Sequence, residues 1–244
     1  MRARRLERSP TVNPTDPIGA ETLECLAGAV RYNEWMFDRL RRWIGRRVLE
    51  IGSGIGNLSA FLVDRERLVL TDTREEYLSR LRTRFAGHSN IAVARLYLPN
   101  DDSAVAGQRF DTVICLNVLE HVDDDIASLG AIHKLLAPSG KLVLLVPALP
   151  ALYGTIDRAL GHHRRYKRSE LAGLLKATGF RMAHIEYFNL AGILGWWFAG
   201  RILRRPMLPA GSLRLYDALV PLFRLERLIP WRVGQSLIAI GEAA

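Results

Sequence analysis

The chain has 244 residues, 49% of them hydrophobic and 24% charged, enough for one ordinary globular domain with a full core. Its net charge of +9 comes largely from arginines at the N-terminus and between Arg201 and Arg232; that balance suits nucleic acid, an anionic membrane surface or a phosphorylated substrate, and equally a solvated basic surface. No helix-turn-helix, zinc or RNA-binding signature appears, so nucleic acid is not expected as a partner; no signal peptide or run of ~18 apolar residues appears either, so neither secretion nor a membrane span is expected.

Residues 1–19, with Pro10, Pro14 and Pro17 among polar and basic residues, are expected to form a mobile basic arm, and residues 20–244 a single domain. From Ala20 to Trp43 the spacing of Leu23, Leu26, Val30, Trp35, Phe37 and Leu40 predicts helices that cap the first strand. Cys25 and Cys115 read as reduced core thiols of a cytoplasmic protein.

The segment from Val48 to Asp72 is the most informative. It reads VLEIGSGIGN, then a short stretch with helical character, then LVLTD. An apolar strand, a turn carrying Gly52, Gly54 and Gly56, and an acid closing the next strand describe a nucleotide-binding β-α-β unit. Glycines let the backbone approach a ligand with no Cβ in the way, and the acid can accept both hydroxyl hydrogens of a ribose. The third glycine comes one residue earlier than in a dinucleotide fingerprint, and Asn57 stands where that fingerprint has glycine. Glu50 would repel a pyrophosphate and suits an ammonium or sulfonium group. Here the chain resembles the class I S-adenosylmethionine-dependent methyltransferases, whose first motif, E-x-G-x-G-x-G, is matched by Glu50, Gly52, Gly54 and Gly56.

Strands are predicted near 47–52, 67–72, 90–96, 110–116, 140–147, 180–188 and 236–241, with helices near 57–64, 74–86, 123–137 and 168–178. Such alternation predicts an α/β fold with helices on both faces of a largely parallel sheet; the resemblance implies the Rossmann-like seven-stranded methyltransferase sheet. The fourth strand runs through FDTVICLNVLEHV, which includes Asp111 and matches the same enzymes. Ligands bind outside the carboxyl ends of strands in such sheets. The resemblance implies that backbone around Gly52 and Leu116, with Asn117 beside it, takes the methionine ammonium, that Asp72 and the adjoining Thr73 border the ribose, and that Tyr97 and Leu98 flank the adenine. Tyr97 stands where many relatives have an acid, so ring stacking or simple edge packing is expected of it. Tyr32 or Asn33, in RYNEW, is placed to contact the cofactor carboxylate or to pack a helix.

Some relatives, including RNA-tail and quinone methylating enzymes, hold a divalent metal with E-x-x-E-H at the fourth strand. Asn117 replaces the first acid here. Glu120 and His121 are therefore expected to pack a helix start, with no metal. The N/D-P-P-Y/F motif of nucleobase amine methylases is also absent.

After the fifth strand comes ALYGTIDRALGHHRRYKRSEL, whose D-x-x-L-G-H-x-R-R-Y pattern resembles a bacterial subgroup of type 11/12 methyltransferases. It supplies proton acceptors at the strand ends: His162 as the preferred base, with His163, Tyr153 and Asp157 as orienting candidates. Arg164 and Arg165 suit a carboxylate or phosphate or, with Tyr166, the packing of a helix that starts near Ser169; packing is the expectation for Tyr166. Residues 190–235 form a long insertion rich in Trp and Arg, expected to fold as a helical lid, and its apolar stretch around Trp196 and Trp197 is too short to span a bilayer. Its Trp196 and Trp197 would line an apolar pocket, pack on the sheet or lie on a membrane.

A sulfonium methyl is already electrophilic, so the implied reaction needs alignment, exclusion of water and removal of one proton. The expected activity is methyl transfer from S-adenosylmethionine to an O or N atom of a small molecule, leaving S-adenosylhomocysteine. The alternatives are methylation of a lipid-linked polyprenyl glycan at a membrane, and a cofactor-binding scaffold without turnover. The expected partner is thus a small-molecule acceptor, anionic or apolar, under the lid, with peripheral contact at the inner membrane face as the alternative.

Overall fold

Seven strands pair in one sheet in the order β3-β2-β1-β4-β5-β7-β6. The computed structural model describes residues 17–207, 210–228 and 233–243. The strands are β1 (Arg47–Ile51), β2 (Arg67–Asp72), β3 (Ile91–Arg95), β4 (Phe110–Leu116), β5 (Leu136–Pro147), β6 (Phe180–Phe188) and β7 (Ser236–Ala243). β1 to β5 are parallel, and β7 runs antiparallel to both β5 and β6.

The central strands are apolar on both faces, as a doubly covered sheet requires. Along β4, Val113 and Cys115 join one core and Ile114 the other; along β5, Leu142 and Leu144 divide from Val143 and Leu145, and along β7, Leu237 and Ala239 from Ile238 and Ile240. This is the two-residue period of a pleated strand. The first core is closed by α4 (Asp125–Leu135) and α6 (Arg168–Ala177), the second by α2 (Val30–Leu40) and α3 (Glu75–Arg84). Asp124 caps α4 by accepting from the Ala127 N–H at 2.8 Å, and the Glu170 carboxylate accepts from Lys167 N at the start of α6, 3.2 Å. Asp111 lies far from the ligand edge: one of its oxygens takes the N–H groups of Arg46 and Arg47, each at 2.9 Å, and so fastens the start of β1 to β4.

Two expectations fail locally. No helix forms over 57–64, only a 3-10 turn at Ser59–Phe61. Gly52, Gly54 and Gly56 all hold positive φ, Ser59 turns its hydroxyl onto Glu50, and the chain must reverse before Arg67, which leaves too few residues for a helix to propagate. Residues 17–19 are not part of an arm: Pro17 opens α1 (Pro17–Ala27), as its fixed φ allows in a first turn. The rest of the expected arm lies outside the described residues.

The insertion is helical: α7 (Leu190–Trp197) continues as a π-helical turn to Ile202, and α8 (Ala210–Phe223) ends in a 3-10 turn, Arg224–Leu228. Asn189, at φ 66°, starts it. Its side chain caps Gly192 N at 2.8 Å, donates to Gln235 at 2.8 Å and accepts the Tyr216 hydroxyl. α8 lies on α2, where Asp217 accepts from Tyr32 N at 2.8 Å and Val220 enters the second core. A fifth short helix, α5 (Thr155–Ala159), precedes the histidine segment.

Candidate active site

The order of the strands reverses at β1 and β4, and their carboxyl ends open the crevice where ligands bind in such sheets. Gly52 leaves β1 at φ 73°, and a Cβ there would meet Val118 Cγ2 at 2.3 Å. Only glycine lets the loop pass this close to the segment after β4. Asp72, at the end of β2, holds the loop from the other side. Its Oδ2 accepts from Gly54 N at 3.0 Å and its Oδ1 from Arg74 N at 3.1 Å. Burial raises its pKa against the pull of those N–H groups, and lone pairs remain on a half-buried carboxylate for a ribose diol.

Glu50 is buried behind the loop, with Ser59 Oγ donating to Oε2 at 2.5 Å. Burial lifts its carboxyl to about 7 in spite of that bond. A cation beside it would favour the charged form. Glycine backbone, a diol acceptor and a buried acid thus match the ammonium, sulfonium and ribose of S-adenosylmethionine.

The other expected cofactor residues lie around this crevice in different ways. Asn117 stands at φ 52° after Leu116 and donates its N–H to Leu145 O at 2.8 Å. Tyr97 turns its hydroxyl onto Thr73 O at 3.0 Å, which ties the segment after β3, with Leu98, to the tip of β2. Asn57 donates to Leu23 O at 2.9 Å, and Gly56 packs against Phe85 and Leu81 of the α3 side. Tyr32 packs edge-on against Trp35 and Tyr216; burial pushes the phenol up to about 12. Asn33 is buried and donates to Leu26 O at 2.8 Å. A residue that lies on the loop reads in the sequence only as part of a helical apolar pattern, not as part of the site. Leu23 of α1 would touch a Cβ at Gly54 at 3.1 Å, and Glu24 pairs with Arg80 at 2.6 Å. An apolar residue in an amphipathic helix carries no signal of which loop it will cover.

Beyond β5 the histidine segment is tightly organised. Asp157 is fully buried, and four groups bond to its carboxylate: His162 Nδ1 (3.0 Å) and Arg165 Nε (2.7 Å) at Oδ1, Gly154 N (2.9 Å) and Trp196 Nε1 (3.1 Å) at Oδ2. Burial alone would raise this acid; His162, Arg165 and Trp196 outweigh it and hold it at about 2. Arg165 also donates to Ala148 O at 2.9 Å, and burial lowers its own pKa. Arg165 is thus engaged inside the protein. Arg164 likewise meets Asp125 at 2.9 Å. Tyr166 is buried with its hydroxyl on Asp125 Oδ2 at 3.1 Å, a packing role as expected. Tyr153 donates to His162 O at 2.7 Å and so fixes the backbone of the base candidate. His163 points the other way, half-exposed, 3.3 Å from Asp123.

His162 Nε2 faces Glu120 Oε1 at 4.0 Å, and its ring meets His121 edge-on at 4.8 Å between centroids. Glu120 is buried, neither oxygen meets a donor from another residue, and burial raises its pKa to about 8. Glu120, His121 and His162 each offer one ligand atom, all within 4.8 Å of one another. Counting ligands along one motif missed the third, which arrives from beyond β5. Since Val118 touches the glycine loop and Glu120 touches His162, the loop and the histidine segment meet across the few residues that follow β4.

Comparison with known proteins points to one family. The methyltransferase domain family matches residues 25–185. A ubiquinone biosynthesis O-methyltransferase of Cereibacter sphaeroides is 35% identical over 115 residues, 41% of this chain and 40% of that protein; one from Azotobacter vinelandii is 27% identical over 177 residues, 62% and 71%. A squalestatin hexaketide synthase of Phoma is 34% identical over 116 residues, 43% of this chain and only 4% of the synthase. Among these relatives the matched part thus ranges from a small fraction to about seven tenths of the protein's length. Among solved structures, an S-adenosylmethionine-dependent methyltransferase from Mesorhizobium loti superposes with a TM-score of 0.60 at 18% identity, over 85% of this chain and 97% of that one. The N-methyltransferase NodS of Bradyrhizobium japonicum, in complex with S-adenosylhomocysteine, gives 0.56 at 16% identity, over 87% and 85%. Likeness at such identity speaks for the fold. With the family match over most of the sheet, and a loop and acid suited to its cofactor, the chain belongs to the methyltransferase domain family and is a class I S-adenosylmethionine-dependent methyltransferase.

Proposed function

We propose that this enzyme methylates an oxygen or nitrogen atom of a small molecule, with His162 taking the acceptor's proton. The observation that carries this reading is the fixed imidazole. Asp157 accepts from His162 at Nδ1, so the tautomer that leaves Nε2 as the proton acceptor is favoured. Bound S-adenosylmethionine supplies an electrophilic methyl; the protein aligns the acceptor, keeps water out and removes one proton. Tyr153 and Asp157 are positioning residues for His162, and His163 is the reserve base at the rim. Relatives named as O-methyltransferases support oxygen, and the fold neighbour named as an N-methyltransferase keeps nitrogen within the reading.

A second reading is favoured by the orphan carboxylate of Glu120: with His121 and His162 it would hold a divalent cation, and Asp157 would orient His162 behind it. The experiment follows transfer of labelled methyl to phenol, carboxyl and amine acceptors. His162→Gln should lower turnover by about 10² to 10⁴ with cofactor affinity unchanged, and chelated enzyme should keep its activity. Loss on chelation with recovery on adding a divalent cation selects the second reading. Full activity of His162→Gln at neutral pH, or label appearing on carbon, overturns the first.

A further inference from the structure

We infer that α7 and α8 dock the enzyme onto an anionic lipid bilayer. Val30 and Ile126 apart, every large apolar side chain that stands exposed among the described residues lies between Leu194 and Val233. On α7 and its π-helical continuation these are Leu194, Trp197, Phe198 and Ile202, at i, i+3, i+4 and i+8, so they form one outward stripe. α8 has a second at i, i+4 and i+7: Leu215, Leu219 and Leu222. The neighbouring side of α8, about 100° round the helix, carries Tyr216, Val220 and Phe223 and already packs on the second core and α2. A surface helix that is apolar on its outward side as well has a second apolar medium to meet.

Charge identifies that medium. Among the described residues of the insertion, Asp217 and Glu226 are the acids, and both turn inward: Asp217 accepts from Tyr32 N at 2.8 Å, and Glu226 from Asn189 N at 3.1 Å and Leu190 N at 2.7 Å. Four of the insertion's arginines point outward, while Arg224 pairs with Asp38 and Arg201 donates to Tyr153 O. Arg204, Arg205, Arg214 and Arg227 are exposed, with no carboxylate of the insertion facing solvent beside them. Apolar side chains edged by uncompensated arginine are the chemistry of an interfacial helix on acidic lipid. Two copies of this chain meeting through the same face would bring their arginines together, which disfavours a dimer there. No helix among the described residues is long and apolar enough to cross a membrane, so contact is in the plane of the headgroups.

The full chain should sediment with vesicles containing phosphatidylglycerol, weakly or not at all with pure phosphatidylcholine vesicles, and less as salt rises. Arg204→Gln, Arg205→Gln and Arg214→Gln together should lower the partition coefficient roughly 10- to 100-fold. Leu215→Glu with Leu219→Glu should abolish it, while circular dichroism and cofactor binding stay unchanged, since both side chains face out. The arginines near the N-terminus are kept in every variant. Vesicle binding that survives the leucine changes therefore belongs to them and overturns the inference. So does absence of vesicle binding, or a dimer by light scattering that the leucine changes dissociate.

Discussion

The two halves of the crevice are built by different means. On the β1 and β2 side the working groups are backbone N–H donors and two acids at strand tips, held by the sheet itself. On the β5 side they are side chains gathered around one buried carboxylate, with partners drawn from the histidine segment and from the insertion. A ligand common to a whole family can be recognised by backbone shape, which any sequence with the right glycines reproduces. A particular acceptor has to be met by side chains, and those depend on long-range packing.

The contrast predicts that the β5 side fails by unfolding and the β1 side by losing its ligand. Replacing Arg165 by Met should cost about 3–5 kcal/mol in urea denaturation, because Asp157 would stay buried with its strongest partner gone. Loss of less than 1 kcal/mol would mean that His162 and Trp196 suffice. Asp157 also gives this half an acid limit. Its folded pKa of about 2 lies below the unfolded value, so its contribution is complete above about pH 4 and lost as pH falls through 2.

Glu120 acts with the opposite sign. Its folded pKa of about 8 exceeds the unfolded value, so stability is highest below pH 4.5 and drains away as pH rises towards 8. Glu120→Gln should therefore be more stable than wild type at pH 8, by an amount on the order of a few kcal/mol, and equal to it near pH 4. Thermal melts across that range check the sign. A wild type that is already stable at pH 8 and loses that stability on chelation would show that Glu120 is charged and bound to a cation.

On the β1 side, Asp72→Ala should leave the melting temperature within a few degrees of wild type and weaken S-adenosylmethionine binding by roughly 1.5–3 kcal/mol in calorimetry, the scale for hydrogen bonds to a charged group. Unchanged affinity would remove Asp72 from the ribose contact.

What could be read in the sequence follows the same division. The glycine loop, Asp72 and the seven strands were legible because local pattern sets them: apolar runs mark buried strands, and positive φ after β1 calls for glycine. The region after the loop was less so. Helical periodicity near 57–64 lost to a short connection and to the Ser59 bond on Glu50, neither of which periodicity measures. At the other half, GHxRRY pointed to a segment that the fold gathers around Asp157, with His162 as its candidate base, while the assignment of Arg165 to a ligand was open until Asp157 appeared beside it. Glu120 and His162 stand far apart in the chain, and their approach depends on how β4 and β5 sit side by side.

The indole N–H of Trp196 ends on the same carboxylate that orients His162, while Trp197, the next residue, faces solvent. Adjacent positions on one helix thus report to the interior and to the surroundings. By linkage, whatever holds α7 in this place also favours this orientation of the imidazole, and an acceptor that settles against the imidazole strengthens the seat of α7 to the same degree. The insertion and His162 are therefore coupled through one carboxylate, and on the role proposed for His162 an enzyme freed from whatever steadies α7 should show its loss in turnover before it shows any in cofactor affinity.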